Sequence, residues 1–561
     1  EYRSVVRDLL FFRDVGRHAG GVVIADRPVW RFGPLKPHPD EELDHVLELG
    51  MEDAEEVGLV KFDFLGLKEL TVIRRTRELD DSVPDDIPDG SQGAYEMISS
   101  GNTLGVFQMG SKGFSRLVQR LKPRSIKDNA VANALYRPGP MDSGMVDEYC
   151  RRRNGESEVT YLHDSLEPIL EDTLGIIVFQ EQVMQIAQAV AGYSLGEADL
   201  LRRAMGKKKQ KEMDAQKSVF TEGAVDNGFA EDDAEKLWGQ IETFSRYGFN
   251  RSHATCYGQL GYITAYLKCH HTAPYLAAQM DVREEFSEVG DFVREARRMG
   301  IQVVGPSVNQ SGVRFRAQND TIIIGLNGIR DVSTEYLESI VDNQPYHSLS
   351  EFFEAVQPDK STTEGLALAG AFDDFLPTKD PDELASVRAT IAQEGPDYAK
   401  EMAEYQAHGQ QTLIGAADAG IVLLDEGEQQ KSDRFEMANL EHEKLGFFQY
   451  AHPCSWAQEH LDVRSLHQIE WLDDLSLSEI ENCGRVRVLI TVEEVKTTFT
   501  KNNDKMAFLR ASDQTGAIDL VVFPDTFELF RLETPRPKIA MIEPQEYEGN
   551  PSFVFQGWKE L

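Results

Sequence analysis

The sequence predicts a multidomain α+β protein with a mostly helical middle and a β-barrel near its C-terminal end. The chain has 561 residues, more than one hydrophobic core normally organises. From residue 94 to residue 285, apolar side chains recur mainly at helical spacing. After residue 483, short runs of alternating apolar and polar residues are separated by polar turns, which is typical of strands.

Charge and cysteine content exclude several classes of protein. The formal net charge is −37, which argues against non-specific nucleic-acid binding by the whole surface. The basic residues are gathered instead: residues 101–211 hold 16 Lys and Arg against 13 Asp and Glu, whereas residues 377–450 hold 6 against 15. Five widely spaced cysteines without a Cys-x-x-Cys motif indicate a reducing compartment and no zinc site. No apolar run approaches the ~20 residues of a membrane span, so we expect a cytoplasmic protein without a membrane partner.

The run Gly58–Leu67 reads as a buried strand that contains one acid, Asp63. A carboxylate in an apolar run is costly to desolvate unless a cation or a donor meets it. Lys61 lies two residues away and therefore projects on the same strand face. From the residues alone, Asp63 is either a satisfied structural acid or a catalytic carboxylate.

The motif Lys61-Phe-Asp-Phe-Leu-Gly-Leu67 resembles the palm motif of the C-family replicative DNA polymerases, the alpha subunits of bacterial DNA polymerase III. In that family the aspartate is one of three metal-binding carboxylates, so the resemblance makes Asp63 the catalytic and metal-binding residue. The other two belong to an upstream Pro-Asp-x-Asp motif, which this sequence lacks. We therefore expect an internal piece of a longer polymerase, with its Mg²⁺ site completed by carboxylates outside this chain.

The same resemblance implies the order of domains. We expect a partial palm at 1–80, fingers at 94–285, a little finger with a helix-hairpin-helix at 286–376, an acidic helical segment with a clamp-binding peptide at 377–480, and an OB-fold barrel at 481–561. The linker at 80–93 is rich in Asp, Pro, Gly and Ser. The palm also holds His18-Ala-Gly-Gly-Val-Val23, in which Arg17 and His18 are candidate phosphate contacts.

Two arginine motifs in the fingers are candidates for phosphate binding. Arg137 precedes Pro-Gly-Pro and should lie on a rigid, non-helical corner; read without the family, it is a turn arginine. The run Leu201–Lys209 places five cations in eight positions without an acid, which otherwise reads as a solvated face. The family resemblance assigns triphosphate binding to Arg202 and Arg203, and it places Lys207, Lys208 and Lys209 near DNA.

A third motif, Phe244-Ser-Arg-Tyr-Gly-Phe-Asn-Arg-Ser-His253, resembles the family's Phe-x-x-Tyr-Gly-Phe-Asn-Lys-Ser-His. It implies that Tyr247, Asn250, Arg251 and His253 line the nucleotide pocket, together with Lys61. Arg251 replaces the usual lysine, so a planar fork replaces a point charge. Without the family, His253 reads as a structural histidine. The helix after Gln180 reads as packing.

Two further segments are expected to meet DNA. Gly325-Leu-Asn-Gly-Ile-Arg330 precedes a helix and suits a helix-hairpin-helix, in which the N–H groups at Gly325 and Gly328 meet a phosphate near Arg330. A plain turn is the alternative. The strands after residue 483 fit an OB-fold, with Phe499, Lys501 and Lys505 as candidate contacts.

The peptide Gln410-Gln-Thr-Leu-Ile414 resembles the short sequence by which this family grips the sliding clamp. Gln410, Leu413 and Ile414 would be its anchors, although Ile414 stands where an aromatic residue is usual.

Altogether the resemblance implies template-directed DNA synthesis by a nucleotidyltransferase that uses two Mg²⁺ ions. Its substrates would be primer-template DNA and deoxynucleoside triphosphates, and its partners the sliding clamp and the exonuclease and clamp-loader subunits of the replicase. Two alternatives stay open: an error-prone paralogue that acts in translesion synthesis, and a non-catalytic DNA-binding fragment.

Overall fold

The computed structural model falls into two compact units, Glu1–Thr71 and Val72–Leu561. It describes residues 20–37, 45–206, 210–245, 248–376, 378, 380–407, 433–458, 466–473, 475, 477–527, 536–547 and 550–559. The predicted contacts Arg17, His18, Lys207, Lys208, Lys209, Tyr247, Gln410, Leu413 and Ile414 lie outside these residues.

The first unit contains two small antiparallel ribbons. Its elements are β1 (Gly21–Ile24), β2 (Leu35–Pro37), β3 (His45–Leu47), α1 (Met51–Glu56) and β4 (Val60–Asp63). β1 pairs with β4, so that Gly21 lies opposite Asp63, and β2 pairs with β3. Gly20 is required here, because a Cβ atom on it would come within 2.5 Å of the Phe64 carbonyl oxygen. The Gly20-Gly21 turn and the Asp63 strand are therefore direct neighbours.

The predicted burial of the Asp63 strand is wrong. Strand β4 forms as expected, yet Val60, Phe62 and Asp63 are exposed, and so are Phe64 and Leu65 beyond it. A run of apolar residues predicts a strand, but not the partner that would cover it. Lys61 does share the face of Asp63, since its Nζ lies 2.6 Å from a carboxylate oxygen of Asp63.

Helices dominate the second unit up to residue 298. They are α2 (Lys68–Leu79), which begins in the first unit, α3 (Gln92–Ser99), α4 (Lys112–Leu121), α5 (Ile126–Leu135), α6 (Pro138–Asp142), α7 (Met145–Arg153), α8 (Glu167–Leu170), α9 (Gln180–Ala191), α10 (Leu195–Gly206), α11 (Gln210–Asp226), α12 (Glu231–Ser245), α13 (Arg251–His270), α14 (Thr272–Asp281) and α15 (Phe286–Arg298).

The corner predicted at Pro138-Gly-Pro140 is a helix start instead. Arg137 is extended and precedes helix α6, whose first residue is Pro138. Proline suits this position because the first helical N–H has no partner within the helix and the ring fixes φ at a helical value. Arg137 itself remains outside the helix, as predicted.

Helix α13 is the long element about which this part of the fold is packed. Near its middle Gly258 meets the backbone of Ala130 on α5, since a Cβ atom on Gly258 would lie 2.8 Å from the Ala130 nitrogen. Near its end Lys268 is fully buried, and its Nζ lies 2.5 Å from Glu295 of α15 and 2.9 Å from the Leu104 carbonyl oxygen. A buried ion pair with further hydrogen bonds fixes geometry, because loss of either charge leaves the other uncompensated.

A mixed region follows helix α15. It contains the three-stranded sheet of β5 (Gln302–Val304), β6 (Arg316–Gln318) and β7 (Thr321–Ile323) in the order β5-β7-β6, then α16 (Thr334–Asp342), α17 (Leu349–Val356), α18 (Lys360–Leu368), α19 (Pro381–Ala407) and α20 (Arg434–Leu445).

The last described part is a closed five-stranded barrel, as predicted. Short helices α21 (Pro453–Gln458), α22 (Ile469–Asp473) and α23 (Leu477–Cys483) precede it. The strands β8 (Val486–Phe499), β9 (Lys505–Ser512), β10 (Ala517–Val522), β11 (Lys538–Tyr547) and β12 (Asn550–Lys559) close in the order β10-β12-β11-β8-β9, with α24 (Pro524–Phe527) after β10. Inward residues alternate along β8 and β9, and Val488, Leu509 and Leu520 are among the buried core.

Helix α15 ties the helical region to the barrel through charges. Asp291 and Arg294 lie on one side of α15, where Arg294 meets Glu493 of β8 at 3.5 Å and Asp291 meets Arg510 of β9. The carboxylate of Glu493 is almost fully buried, so its neighbouring cations are needed to offset its desolvation. None of the helices among the described residues is both long and apolar enough to cross a membrane.

The burial of His452 indicates how the stability of this contact between the helical region and the barrel depends on pH. Its Nδ1 accepts the N–H of Cys454 at 3.1 Å, and its Nε2 lies 2.9 Å from the Ser512 hydroxyl on the barrel. Burial, helped by the charge of Arg294, lowers the pKa of His452 from 6.5 to about 3. Below pH 6.5 the unfolded chain binds a proton that the folded chain excludes, so stability falls as pH falls. From pH 7 to pH 4.5 this histidine should cost about 2.5 kcal/mol.

We expect the free energy of unfolding of the wild type to exceed that of His452→Gln at pH 7, and this advantage to shrink by about 2.5 kcal/mol at pH 4.5. Urea titrations of both proteins at the two pH values measure it. A difference that stays constant with pH would show that His452 is not neutral and buried in the folded protein. His347→Gln, a change at an exposed histidine, is the control.

Candidate nucleotide and DNA site

The N-terminus of helix α13 is closed by its own capping residue. Asn250 is extended, and its side-chain oxygen accepts the N–H of His253 at 2.8 Å and the hydroxyl of Ser252 at 2.6 Å. Asparagine is among the best residues at this position, because its side chain satisfies an N–H that has no partner in the helix. In this structure, Asn250 therefore positions the helix.

Glu181, in the first turn of helix α9, holds the same helix start from outside. One of its carboxylate oxygens accepts the side-chain N–H of Asn250 at 3.0 Å, and the other accepts the backbone N–H of Arg251 at 2.9 Å. The segments that enter the two helices also pair, since Gln180 donates its N–H to the carbonyl of Phe249 at 2.9 Å. A carboxylate at a helix N-terminus is favourable because it meets the positive end of the helix dipole.

Arg251 is held by an acid and lies over an aromatic ring. Its guanidinium lies 2.6 Å from Asp172 and 5.5 Å from the centre of the Phe179 ring. Asp172 also binds Lys127 at 2.8 Å, and these cations, Lys127 most of all, lower the pKa of its carboxyl group. Asp172 and Phe179 thus hold Arg251 in a fixed place, and the Asp172 carboxylate occupies the position where an anionic ligand would bind.

A row of rings joins Phe107 to two of the predicted motifs, which contain Arg137 and His253. The Arg137 guanidinium lies 4.5 Å from the centre of the Phe249 ring. Burial lowers the pKa of Arg137. The Phe249 ring meets His253 at 5.5 Å, His253 meets Tyr257 at 4.1 Å, and Tyr257 meets Phe107 at 5.1 Å. His253 is exposed and lies one helical turn before Tyr257. We name the group that this row and the helix start define the α13 cluster: Phe107, Arg137, Asp172, Glu181, Phe249, Asn250, Arg251, His253 and Tyr257.

The two arginines of helix α10 are paired within their own helix. The Nε atoms of Arg202 and Arg203 lie 2.9 Å and 2.8 Å from the two oxygens of Asp199. The hydrogen bonds from these two arginines, chiefly the one from Arg202, lower the pKa of the Asp199 carboxyl group. The prediction of a cation run without an acid is therefore incomplete, because Asp199 lies just before the run and one helical turn away. Among the described residues, no hydrogen bond or ion pair joins either arginine to the α13 cluster.

Asp63 does not by itself form a metal site. Its side chain is 56% exposed and is bound by Lys61. Among the described residues, no three His, Cys, Asp or Glu side chains are grouped so that they could hold a metal ion. A two-metal site needs several carboxylates around the ions, and the described residues do not supply them.

The predicted hairpin glycines serve packing in this structure. A Cβ atom on Gly325 would lie 2.4 Å from the Arg314 backbone, and one on Gly328 would lie 3.0 Å from the Phe315 ring. The N–H of Gly328 donates to the Gly325 carbonyl at 3.0 Å, so the expectation that this N–H is open to a phosphate is wrong. Arg330 is exposed and lies over the Phe286 ring at 4.8 Å.

Comparisons with known families match three parts of the chain. Residues 8–66 match the bacterial DNA polymerase III alpha NTPase domain, residues 68–228 match the finger domain of that subunit, and residues 300–381 match a helix-hairpin-helix motif. The DNA polymerase III subunit alpha of Thermus aquaticus is 37% identical over 543 residues, which cover 92% of this chain and 42% of the relative. That of Escherichia coli K12 is 34% identical over 570 residues, which cover 95% and 47%.

The chain belongs to the family of bacterial DNA polymerase III alpha subunits. It spans about half the length of the curated relatives that it matches. The family assignment and the helix-hairpin-helix predicted from the sequence are confirmed. The roles of individual residues remain predictions.

Neither the two acids of the α13 cluster nor the site role of three of its rings was predicted from the sequence; the acids are Asp172 and Glu181, and the rings are Phe107, Phe249 and Tyr257. Asp172 lies 79 positions before Arg251, and nothing local to either residue predicts their contact. The role of Glu181 could have been predicted in part, because an acid in the first turn of a helix is well placed to accept N–H groups. Its partner helix, however, is fixed only by tertiary packing.

The Glu181–Asn250 contact predicts a coupled effect on helix α13. We expect Glu181→Ala and Asn250→Ala each to lower the free energy that protects the amides of residues 251–254 from hydrogen exchange, by about 1–2 kcal/mol. Because each side chain loses a partner when the other is removed, the double variant should cost at least 0.5 kcal/mol less than the sum, a roughly estimated coupling for residues in contact.

Hydrogen exchange measured on the four proteins gives this cycle. Gln188→Ala, at an exposed position of the same helix α9, should leave the protection of residues 251–254 unchanged. Additive effects of the two alanine variants would mean that Glu181 and Asn250 act independently.

Proposed function

We propose that this chain takes part in template-directed DNA synthesis, as the nucleotide-binding and DNA-binding portion of a DNA polymerase III alpha subunit. The single observation that carries the proposal is the α13 cluster, in which the predicted motifs that contain Arg137 and Arg251 meet at the start of one helix and continue as a row of rings to Phe107. Curated relatives that bear the name DNA polymerase III subunit alpha support it.

In this proposal the triphosphate of the incoming nucleotide binds at Arg251. The guanidinium would exchange Asp172 for a phosphate, with little movement, because its stacking on Phe179 holds the plane of the fork. Charge-assisted contacts of this kind are about twice as strong as neutral hydrogen bonds. Arg202 and Arg203 supply further cations, and Lys207, Lys208, Lys209 and Tyr247 remain predicted contacts.

The exposed side of the ring row is proposed to receive the base or the sugar. His253 is exposed and is backed on both sides by Phe249 and Tyr257. A ring held in this way loses little conformational freedom when it stacks on a ligand. Arg137, which is half-buried at the other end of the row from Phe107, is proposed to act near the phosphates.

Asp63 is proposed to supply one carboxylate of a Mg²⁺ site whose other ligands come from the part of the relatives that this chain does not span. Lys61 would have to release Asp63, or share it, when a metal binds. Since the described residues do not form the site, no chemical step is assigned to the metal here.

The remaining segments are proposed to hold DNA and partner proteins. The helix-hairpin-helix region, including Arg330, and the barrel would contact primer-template DNA without reading bases. The peptide Gln410–Ile414 would bind the sliding clamp, and the exonuclease and clamp-loader subunits would bind elsewhere on a complete replicase in the cytoplasm.

Nucleotide binding tests the proposal at the α13 cluster. With a fluorescent deoxynucleoside triphosphate and primed template, we expect Arg251→Ala to raise the Kd about tenfold or more, since a charged contact of about 1.5–3 kcal/mol is lost. Lys236→Ala, which removes an exposed cation paired with Asp233, should leave the Kd unchanged. An unchanged Kd for Arg251→Ala would remove the cluster from the nucleotide site.

The same protein samples can be tested for primer extension with Mg²⁺. We expect the chain of 561 residues to bind nucleotide without extending the primer, because its described residues lack the grouped carboxylates. Robust extension would show that the remaining metal ligands lie within this chain.

Clamp binding is tested separately. Gln410→Ala with Leu413→Ala should abolish binding of the chain to a sliding clamp, because the peptide would lose its polar and its apolar anchor. Surface plasmon resonance measures the loss, and Gln411→Ala, one position along, is the control. Unchanged binding of the double variant would place the clamp contact elsewhere.

A further inference from the structure

An acid-free segment stands out in this acidic chain. From Gly110 to Lys127 there are six cations and no Asp or Glu, although the whole chain carries a net charge of −37. Over residues 110–156, which include helices α4 to α7, there are ten Lys and Arg against five Asp and Glu. A local excess of this sign is the pattern expected where a phosphate backbone is bound.

The segment folds into a tight corner between two helices. Helix α4 ends at Lys122, whose φ of 52° turns the chain sharply, and helix α5 begins after Ser125, whose hydroxyl oxygen accepts the N–H of Asp128. Between these two caps the chain presents Lys122 and Arg124, both of which are exposed. We name Lys122–Ser125 the α4–α5 corner. Lys122 and Arg124 lie on the exposed side of this corner, whereas Pro123 between them is buried.

The acids near this corner are bound by other groups. Asp128 accepts the backbone N–H of Arg124 at 2.8 Å and pairs with Arg153 at 2.7 Å, while Asp147 pairs with Arg120. Within the described residues, neither Lys122 nor Arg124 forms an ion pair through its side chain. Their charges are therefore directed to solvent, in contrast to the paired cations Arg202, Arg203 and Arg251.

The corner is continuous with the α13 cluster. Lys127, in the first turn of helix α5, binds the same Asp172 carboxylate as Arg251, at 2.8 Å and 2.6 Å. Arg124 and Lys122 precede Lys127 by three and five residues along the chain, so the corner adjoins the cation that shares Asp172 with Arg251. In a polymerase, the strand that continues past the incoming nucleotide is the unpaired template.

We propose that the α4–α5 corner binds phosphates of the single-stranded template ahead of the incoming nucleotide. This inference rests on the proposed function. A flexible single strand can bring successive phosphates to the exposed Lys122 and Arg124, whereas a duplex, with a persistence length of about 50 nm, is too stiff to adapt to them. The corner presents two charges and no ring, so it holds the backbone without reading sequence.

The experiment compares two DNA ligands and two pairs of substitutions in the full chain. Lys122→Gln with Arg124→Gln removes the corner charges at exposed positions. Arg74→Gln with Lys236→Gln removes two exposed cations elsewhere, and circular dichroism checks that all proteins are folded. The ligands are a primed template with a 5′ overhang of about a dozen nucleotides, long enough to fill a single-strand site, and the same duplex with a blunt end. Fluorescence anisotropy at several salt concentrations gives Kd and its salt dependence.

For the overhang ligand, the corner variant should bind several-fold more weakly than wild type at low salt. The slope of log K against log salt should fall by about 1.4, which is roughly 0.7 for each lost single-strand phosphate contact. The blunt ligand should bind both proteins equally, and the control variant should match wild type on both ligands.

Other outcomes overturn the inference in distinguishable ways. An unchanged slope on the overhang ligand, with wild-type binding intact, would exclude the corner and leave the proposed function standing. An equal loss on both ligands would assign the corner to duplex DNA instead of the template strand. Failure of wild type to bind either ligand would overturn the proposed function and this inference with it.

Discussion

The candidate site depends on how the start of helix α13 is capped. Four N–H groups at any helix N-terminus lack partners within the helix, and here Asn250 and Glu181 accept three N–H groups at this end, one of them the side-chain N–H of Asn250. Because Arg251 and His253 lie in this first turn, the caps that satisfy the backbone also decide where a guanidinium and an imidazole are presented. The same helix ends about 30 Å away, close to the buried Lys268–Glu295 pair. Its axis is thus fixed at one end by the hydrogen bonds of Asn250 and Glu181, and at the other by a buried ion pair in which neither charge can be removed singly without a large cost.

Several candidate phosphate-binding cations are held by carboxylates, unlike Lys122 and Arg124, whose side chains are exposed. Asp172 holds Arg251, Asp199 holds Arg202 and Arg203, and Asp63 holds Lys61. An anionic ligand at any of these positions must compete with an acid that is already bound, so part of its binding free energy is offset by the exchange. In return, each cation keeps a defined orientation before the ligand arrives, which lowers the entropic cost of binding. The strong acidity of the sequence is compatible with phosphate binding for this reason.

The sequence predicts much of this fold and only part of the site. The helices from residue 94 to residue 285, the helix-hairpin-helix and the five-stranded barrel follow from periodicity and turn residues, which are local properties. The pairing of Asp199 with Arg202 could have been found by looking one helical turn before the cation run. The contact of Asp172 with Arg251 could not, because it depends on how helices α5, α9 and α13 pack. The exposure of the Asp63 strand is of the same kind, since an apolar run does not indicate which element covers it.

Strand β4, which carries Asp63, is covered less than a strand that is stable in water requires. β4 pairs with β1, and the described strands of this sheet number only these two, whereas sheets that are stable in water generally need three or more strands or a covering layer. Val22, Ile24, Val60 and Phe62 are exposed on the ribbon, and a contiguous apolar surface of this kind marks a place where another element packs. The curated relatives are about twice as long as the matched region, so in the proposed function the added length would supply both that packing and the missing carboxylates. Asp63 would then become desolvated only when the sheet is completed, and its preference for a metal ion over Lys61 would be set at that moment by the burial of its strand.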